Sequence, residues 1–197
     1  MNNHTVDFFD AQFRRQVSQA EFSLNPFEQA VLPFASGRVL ELGCGLGNLA
    51  LAAARRGASV VAVDGSSSAI AHLCETARRE GLALTAVAAD VERYPITGEF
   101  DTIVCIGLLM FFPRETAYRL LAEMENHLSS GGRLALNVLV EGTTYLDMFS
   151  AGHYYLFGQD ELAKRCQRWD TLLSSRQSFE APGNTRKEFV TLVTRRP

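Results

Sequence analysis

The stretch Val39-Leu40-Glu41-Leu42-Gly43-Cys44-Gly45-Leu46-Gly47-Asn48 decides how the rest of the chain is read. An aliphatic run ends in three alternating glycines, and an alanine- and leucine-rich segment follows. The pattern predicts a strand over Arg38–Leu42, a tight turn, and a helix over Leu46–Arg56 that stops at Gly57. Glycines in such a turn accept positive φ and let backbone N–H groups approach a ligand closely. In an open α/β sheet this turn lies beyond the carboxyl ends of the strands, which is where ligands bind.

Outward from that turn, strand and helix alternate. Ser59–Val63 is the next apolar run, and Ser66 reads as the N-cap of a helix that ends before Gly81. Leu82–Ala89 and Phe100–Ile106 are a third and a fourth strand. In Arg114–Leu128 the apolar residues Tyr118, Leu121, Met124 and Leu128 recur at helical spacing, and Gly131-Gly132 is expected to end that helix. Arg133–Val140 is a fifth strand. Strands apolar throughout, separated by amphipathic helices, imply a doubly wound parallel sheet covered on both faces and joined by right-handed crossovers. After Val140 the pattern changes to an irregular aromatic stretch, a helix over Gln159–Trp169, and two strand-like runs near Leu172–Phe179 and Glu188–Thr194. With no helix between them, those two runs should pair antiparallel. The N-terminal forty residues look helical, with Asn25-Pro26 a cap and first-turn start. One domain is expected, divided into a helical lid (1–37), a ligand-binding core (38–140) and a substrate-side segment with the antiparallel strands (141–197).

The acidic residues point to the ligand. Asp64 closes the second strand, where a carboxylate can accept both hydroxyls of a ribose, and Asp90 closes the third. Glu41 stands two residues before the first glycine, where it would repel a pyrophosphate and attract a cationic amino-acid moiety. The glycine spacing also departs from the Gly-x-Gly-x-x-Gly of dinucleotide sites. S-adenosylmethionine, with a sulfonium and an ammonium, fits this charge pattern better than a nicotinamide dinucleotide.

Composition narrows the classes further. With 47% hydrophobic and 21% charged residues the chain has the balance of an ordinary globular protein, so disorder is a poor reading. A net charge of -3 leaves no excess of cations for a nucleic-acid backbone, and the arginine pairs are scattered. The four cysteines, Cys44, Cys74, Cys105 and Cys166, lack zinc-ligand spacing, so no metal is assigned and a reducing compartment suits them. No eighteen-residue apolar stretch and no basic-then-apolar N-terminus occur, so a cytoplasmic protein without membrane contact is expected.

The segments VLELGCGLGNLA (39–50), VVAVDGSSSAI (60–70), AADVERYPI (88–96), FDTIVCIGLLMFF (100–112) and GGRLALNV (131–138) together resemble the class I S-adenosylmethionine-dependent methyltransferases, in that family's order and spacing. The resemblance implies a Rossmann-like sheet of seven strands with an antiparallel last strand. It implies that Gly43, Gly45 and Gly47 face the methionine part of the donor, Asp64 the ribose, and Asp90 and Val91 the adenine, with Ile106 near the fourth strand's end. Cys44 and Asn48 in the turn, and Gly65 and Ser66 after Asp64, belong to the same expected donor site. A narrower resemblance is to the tellurite-resistance (TehB-like) methyltransferases, through Asn25-Pro26-Phe27 and the run from Phe157 through Glu161, Leu162 and Trp169 to Gly183-Asn184 and Arg186-Lys187. The chain departs from that group in lacking a His-Arg pair upstream of Gly183-Asn184.

Methyl transfer is an in-line displacement at a carbon the donor already activates, so the protein's part is position and a dry, shaped site. The expected acceptor is a small molecule. A soft sulfur, selenium or tellurium nucleophile needs no base, whereas a hydroxyl or ammonium does. Phe13, Met110, His153, Tyr154 and Arg186 are the substrate-side residues expected from the sequence, with no catalytic side chain assigned. Phe8, Phe9 and Phe13 fit an aromatic lid, and equally an ordinary apolar helix face. Two other functions stay open. A nicotinamide-dependent oxidoreductase would need the longer glycine spacing and a Tyr-x-x-x-Lys pair, and none of the five tyrosines has lysine four places on. A donor-binding protein without turnover would need nothing this sequence lacks. Sequence leaves the oligomeric state open.

Overall fold

A computed structural model describes residues 3–19 and 22–197. Its elements, in chain order, are α1 (Asn3–Gln19), α2 (Pro26–Val31), β1 (Arg38–Leu42), α3 (Asn48–Arg55), β2 (Ser59–Asp64), α4 (Ser67–Glu80), β3 (Leu84–Ala88), β4 (Phe100–Ile106), α5 (Arg114–Asn126), β5 (Leu128–Leu139), α6 (Glu161–Arg165), β6 (Asp170–Ala181) and β7 (Thr185–Arg195). Seven strands form one sheet in the order β3-β2-β1-β4-β5-β7-β6. The first five pair in parallel, and β7 slots between β5 and β6, antiparallel to both. This is the mostly parallel, doubly wound sheet with an antiparallel last strand that the sequence implies.

Both faces of the central strands are buried because their side chains alternate between two cores. Leu40, Leu42, Ile103, Cys105, Leu134 and Leu136 point to one side, where α5 adds Leu121 and Met124. Val39, Val104, Ala135 and Val193 point to the other, against Leu49 and Ala53 of α3 and Leu73 of α4. The strand order reverses between β1 and β4, and that reversal opens the crevice at the carboxyl edge of the sheet.

Local chemistry sets the helix ends that frame this crevice. The Ser66 hydroxyl accepts the Ala69 amide at 3.2 Å and starts α4, and Gly81 ends it at φ 63°. Asn25 and Glu28 form a reciprocal capping box around Pro26, so the short α2 has a fixed start beside the crevice. Most boundaries shift by a few residues, and those around Gly131-Gly132 and in the 159–169 segment depart most from expectation. Helix α5 ends at Asn126, and His127 closes it with a ring nitrogen 2.8 Å from the Glu123 carbonyl. Gly131 and Gly132 lie inside β5 instead, where the ladder to β4 slips between Phe100↔Leu128 and Thr102↔Arg133. A glycine pair serves a strand irregularity as well as a helix stop, and periodicity does not distinguish them. The expected helix over Gln159–Trp169 shrinks to the single turn of α6. Among the described residues no helix is long and apolar enough to cross a membrane.

Candidate active site

A cavity of about 430 Å³ opens at the strand reversal. Its floor is the turn between β1 and α3. The amides of Gly43 and Cys44 donate to the Val63 carbonyl at 2.8 and 3.1 Å, which ties the turn to the end of β2. The Gly45 amide donates to Oδ2 of Asp64 at 2.8 Å, and the Ser66 amide to Oδ1 at 2.8 Å. Asp64 therefore braces two loops while its carboxylate still faces the cavity. Gly45 holds φ 53°, and a side chain there would meet the Phe13 ring at 2.9 Å. Bare backbone is thus exposed to the cavity beneath an aromatic cover.

That cover comes from α1. Phe13 and Phe9 stack with centroids 6.1 Å apart, and Phe9 meets Phe111 edge-on at 5.2 Å. Asp10 fastens the helix: its Oδ1 accepts the hydroxyls of Ser66 at 2.6 Å and Ser68 at 2.5 Å, while Arg14 approaches Oδ2 at 2.6 Å. The two serine hydroxyls hold the Asp10 carboxyl below its ordinary range, with Arg14 adding to the effect. The side chain of Phe8 lies outside what is described.

The electrostatics of the turn are lopsided. Glu41 is 4% exposed, lines the cavity, and its Oε2 has no hydrogen-bond partner. Burial pushes its carboxyl well above the usual range, and the nearby Glu28 and Asp64 carboxylates add to the shift. Burial raises Asp64 too, partly offset by the amides of Ser66, Gly45 and Gly65. Glu28 is raised by burial, against the pull of the Asn25 amide. Three carboxyls whose protons are held more tightly than usual therefore meet at one end of the cavity. Cys44 and Cys105 are buried thiols kept protonated: desolvation comes first, then the Glu41 charge, and Cys105 is pushed up to about 12. Neither is poised as a nucleophile.

Most sequence-expected residues converge here. Glu41, Gly43, Cys44, Gly45, Asn48, Asp64, Gly65, Ser66 and Ile106 line the cavity, as do Phe13 and Met110. Gly47 does not. A Cβ there would strike Leu73 at 2.4 Å, so this glycine serves the packing of the turn on α4 at φ 71°. Asp90 caps the following turn through the Glu92 amide at 3.1 Å, and Val91 is buried in the core, so neither reaches the cavity wall. His153 is exposed on its loop and Tyr154 stacks on Phe149 at 4.6 Å, both off the wall. Arg186 points away, pairing with Glu188 at 3.2 Å. In its place stands the neighbouring Lys187, with Tyr145, Met148 and Phe189 of the same wall. Asn137 also lines it, fully buried, its Nδ2 donating to Thr191 at 2.9 Å and its Oδ1 unpartnered. Asn137 and Lys187 fall within the quoted segments without a role of their own, and Glu28 and Tyr145 within none; strand alternation around Val190 and Leu192 is the signal that would single out Lys187 over Arg186. Among the described residues no cluster of His, Cys, Asp and Glu could hold a metal ion.

The glycine turn at the strand reversal, the carboxylate on β2 and the seven-stranded order give the chain the Rossmann-like fold of class I S-adenosylmethionine-dependent methyltransferases. Residues 39–132 match the methyltransferase domain family. Within the class, the chain is similar to the probable S-adenosyl-L-methionine-dependent methyltransferase TehB of Haemophilus influenzae, 28% identical over 170 residues, covering 81% of this chain and 57% of that one. It is 29% identical over 180 residues to Hemagglutinin 1 of Eikenella corrodens, covering 86% and 58%. The crystal structure of TehB from Haemophilus influenzae superposes with a TM-score of 0.72 at 24% identity, over 86% of this chain and 60% of that one. The chain thus spans less than two thirds of the length of these relatives.

Proposed function

We propose that the protein transfers a methyl group from S-adenosylmethionine to a small-molecule nucleophile. The observation that carries this reading is the buried Glu41 carboxyl, held by the Ala50 amide but with Oε2 unpartnered, beside the bare Gly45 backbone and Asp64 in one cavity. Ionising a buried carboxyl with one oxygen unpartnered is costly, and a cationic ligand offsets that cost. The donor set fits the donor. Glu41 and Glu28 supply negative potential for its cationic amino-acid end, the Gly43–Gly45 turn supplies close backbone, and Asp64 supplies an acceptor for ribose hydroxyls. When bound, S-adenosylmethionine provides a methyl carbon activated by a positive sulfur.

What the chain itself contributes is placement and exclusion of water. Asp64 holds the turn to the end of β2, and Phe13 and Phe9 close the outer side. Ile106, Met110 and Phe111, at and beyond the end of β4, give the cavity an apolar stretch of wall. In such a space two reactants are aligned at the expense of binding energy, and few competing waters remain. Among the described residues no histidine lines the cavity, and a soft nucleophile would need no proton removed. The likeness to the tellurite-resistance group puts sulfur, selenium and tellurium acceptors first in a screen. The domain plan follows: 1–37 as lid, 38–140 as donor core, 141–197 as acceptor side. A cytoplasmic setting is proposed on the reduced cysteines.

The test is formation of S-adenosylhomocysteine on incubation with the donor and a panel of thiols, selenite, tellurite and amines. Turnover with any member supports the reading. Tight donor binding with no turnover across the panel would favour a donor-binding protein instead.

A further inference from the structure

The far wall of the cavity has a chemistry of its own. Strand β7 lies three strands from β1 in the sheet, roughly 14 Å at ordinary strand spacing. Its alternation brings Lys187 and Phe189 to the cavity. The Lys187 ammonium sits 4.7 Å over the Tyr145 ring. Among the described residues it makes no ion pair, although Arg186 and Glu188 on either side pair with each other. Burial without a counter-charge lowers its affinity for a proton. Around it the wall is apolar: Phe27 packs on Phe189 at 4.6 Å, and Met148 and Leu139 complete the surface. The cavity is therefore acidic at the glycine turn and carries a single unmatched cation within an aromatic wall at β7.

We propose that Lys187, seated on Tyr145, anchors the methyl acceptor, and that the acceptor is an apolar or aromatic molecule carrying one anionic head group, a carboxylate or equivalent oxyanion. The proposal rests on the reading of this cavity as a methyltransferase site and names its substrate class. An ammonium already stripped of part of its water gains most from a charged partner, because a charge-assisted hydrogen bond replaces hydration that is already lost. The Tyr145 ring fixes the ammonium from one side and leaves its donors free for the ligand. Phe27, Phe189 and Met148 exclude a bare hydrated ion and accept an apolar body. An acceptor that is itself a cation is disfavoured by Lys187. Opposite charges at the two ends also orient the pair, with the donor's cationic end at Glu41 and the acceptor's anionic end at Lys187.

The experiment compares acids with their amides. Benzoate, phenylacetate, indole-3-acetate and octanoate are each titrated beside the corresponding primary amide by ligand-observed NMR. The protein is wild type, Lys187→Met or Lys187→Arg, with and without saturating S-adenosylhomocysteine; selenite and tellurite are run in parallel. The expected result is that at least one acid binds the wild type about tenfold more tightly than its amide. Lys187→Met erases that preference, and Lys187→Arg keeps most of it. Acids and amides binding alike, a preference that survives Lys187→Met, or binding of selenite and tellurite alone would each overturn the proposal. Failure to bind S-adenosylhomocysteine would count against the donor reading only, since acid and amide are also compared without it.

Discussion

Gly45 and Gly47 stand two residues apart in one turn and have separate tasks. At Gly45 a side chain would project toward Phe13 and the cavity, so Gly45→Val should abolish S-adenosylhomocysteine binding in a folded protein. At Gly47 a side chain would enter the Leu73 side chain, so Gly47→Ala should lower stability by about 1–3 kcal/mol in urea unfolding. Donor affinity of its folded fraction should stay near the wild-type value, and the reverse pattern would exchange the two assignments. Asp64→Ala removes the proposed acceptor for ribose and two loop braces, and should weaken S-adenosylhomocysteine by about 1–3 kcal/mol in calorimetry. Glu41 predicts a pH effect. Its carboxyl titrates well above the usual range in the free protein, and a bound ammonium would favour the ionised form, so binding should release a proton. Affinity for S-adenosylhomocysteine should fall as pH drops through the free protein's Glu41 range. Glu41→Gln should remove that dependence, and binding enthalpies independent of buffer ionisation heat would contradict it. The glycines and acids of the donor end were legible because strand, turn and ligand contact lie within about ten residues. Which glycine borders the cavity and which meets Leu73 was not, since α4 packs there from elsewhere in the chain.

At the scale of elements, α1 is the part whose role most needs a measurement. It touches the donor region through Phe13 and is fastened to the start of α4 by Asp10 on Ser66 and Ser68. Ser66 is also the α4 N-cap, so the tether of α1 and the start of α4 share one hydroxyl. Asp10→Ala should speed release of S-adenosylhomocysteine about five- to tenfold in stopped-flow displacement, with a smaller change in association. An unchanged release rate would show that α1 is only packing. The helices α2, α3 and α4 announce themselves by caps and glycines, and the five parallel strands by continuous apolar runs. The aromatic spacing of α1 fits a lid and an ordinary apolar face equally well, and the seat of Phe13 against Gly45 is the observation behind the lid proposal. The early start of β5 and the brevity of α6 were hidden for another reason. Gly131-Gly132 and the 159–169 segment have local preferences that tertiary pairing overrides.

Across the whole molecule, the sheet sets two unlike surfaces against one cavity. The donor end is built from β1, β2 and the turn between β1 and α3, continuous in sequence and therefore readable. The acceptor end is assembled from α2, the segment after β5, and the late strand β7, which folds back between β5 and β6. His153, Tyr154 and Arg186 were reasonable expectations from composition, yet the return of β7 presents Lys187 instead, and the loop turns Tyr145 and Met148 inward. No local pattern encodes that juxtaposition. The central claim is that this cavity takes S-adenosylmethionine and its product, and the most direct test is calorimetric titration with S-adenosylhomocysteine run beside NAD. Micromolar binding of S-adenosylhomocysteine at one site per chain, with none of NAD, is the predicted result. Binding of NAD in preference, or of neither ligand by the folded protein, would contradict it.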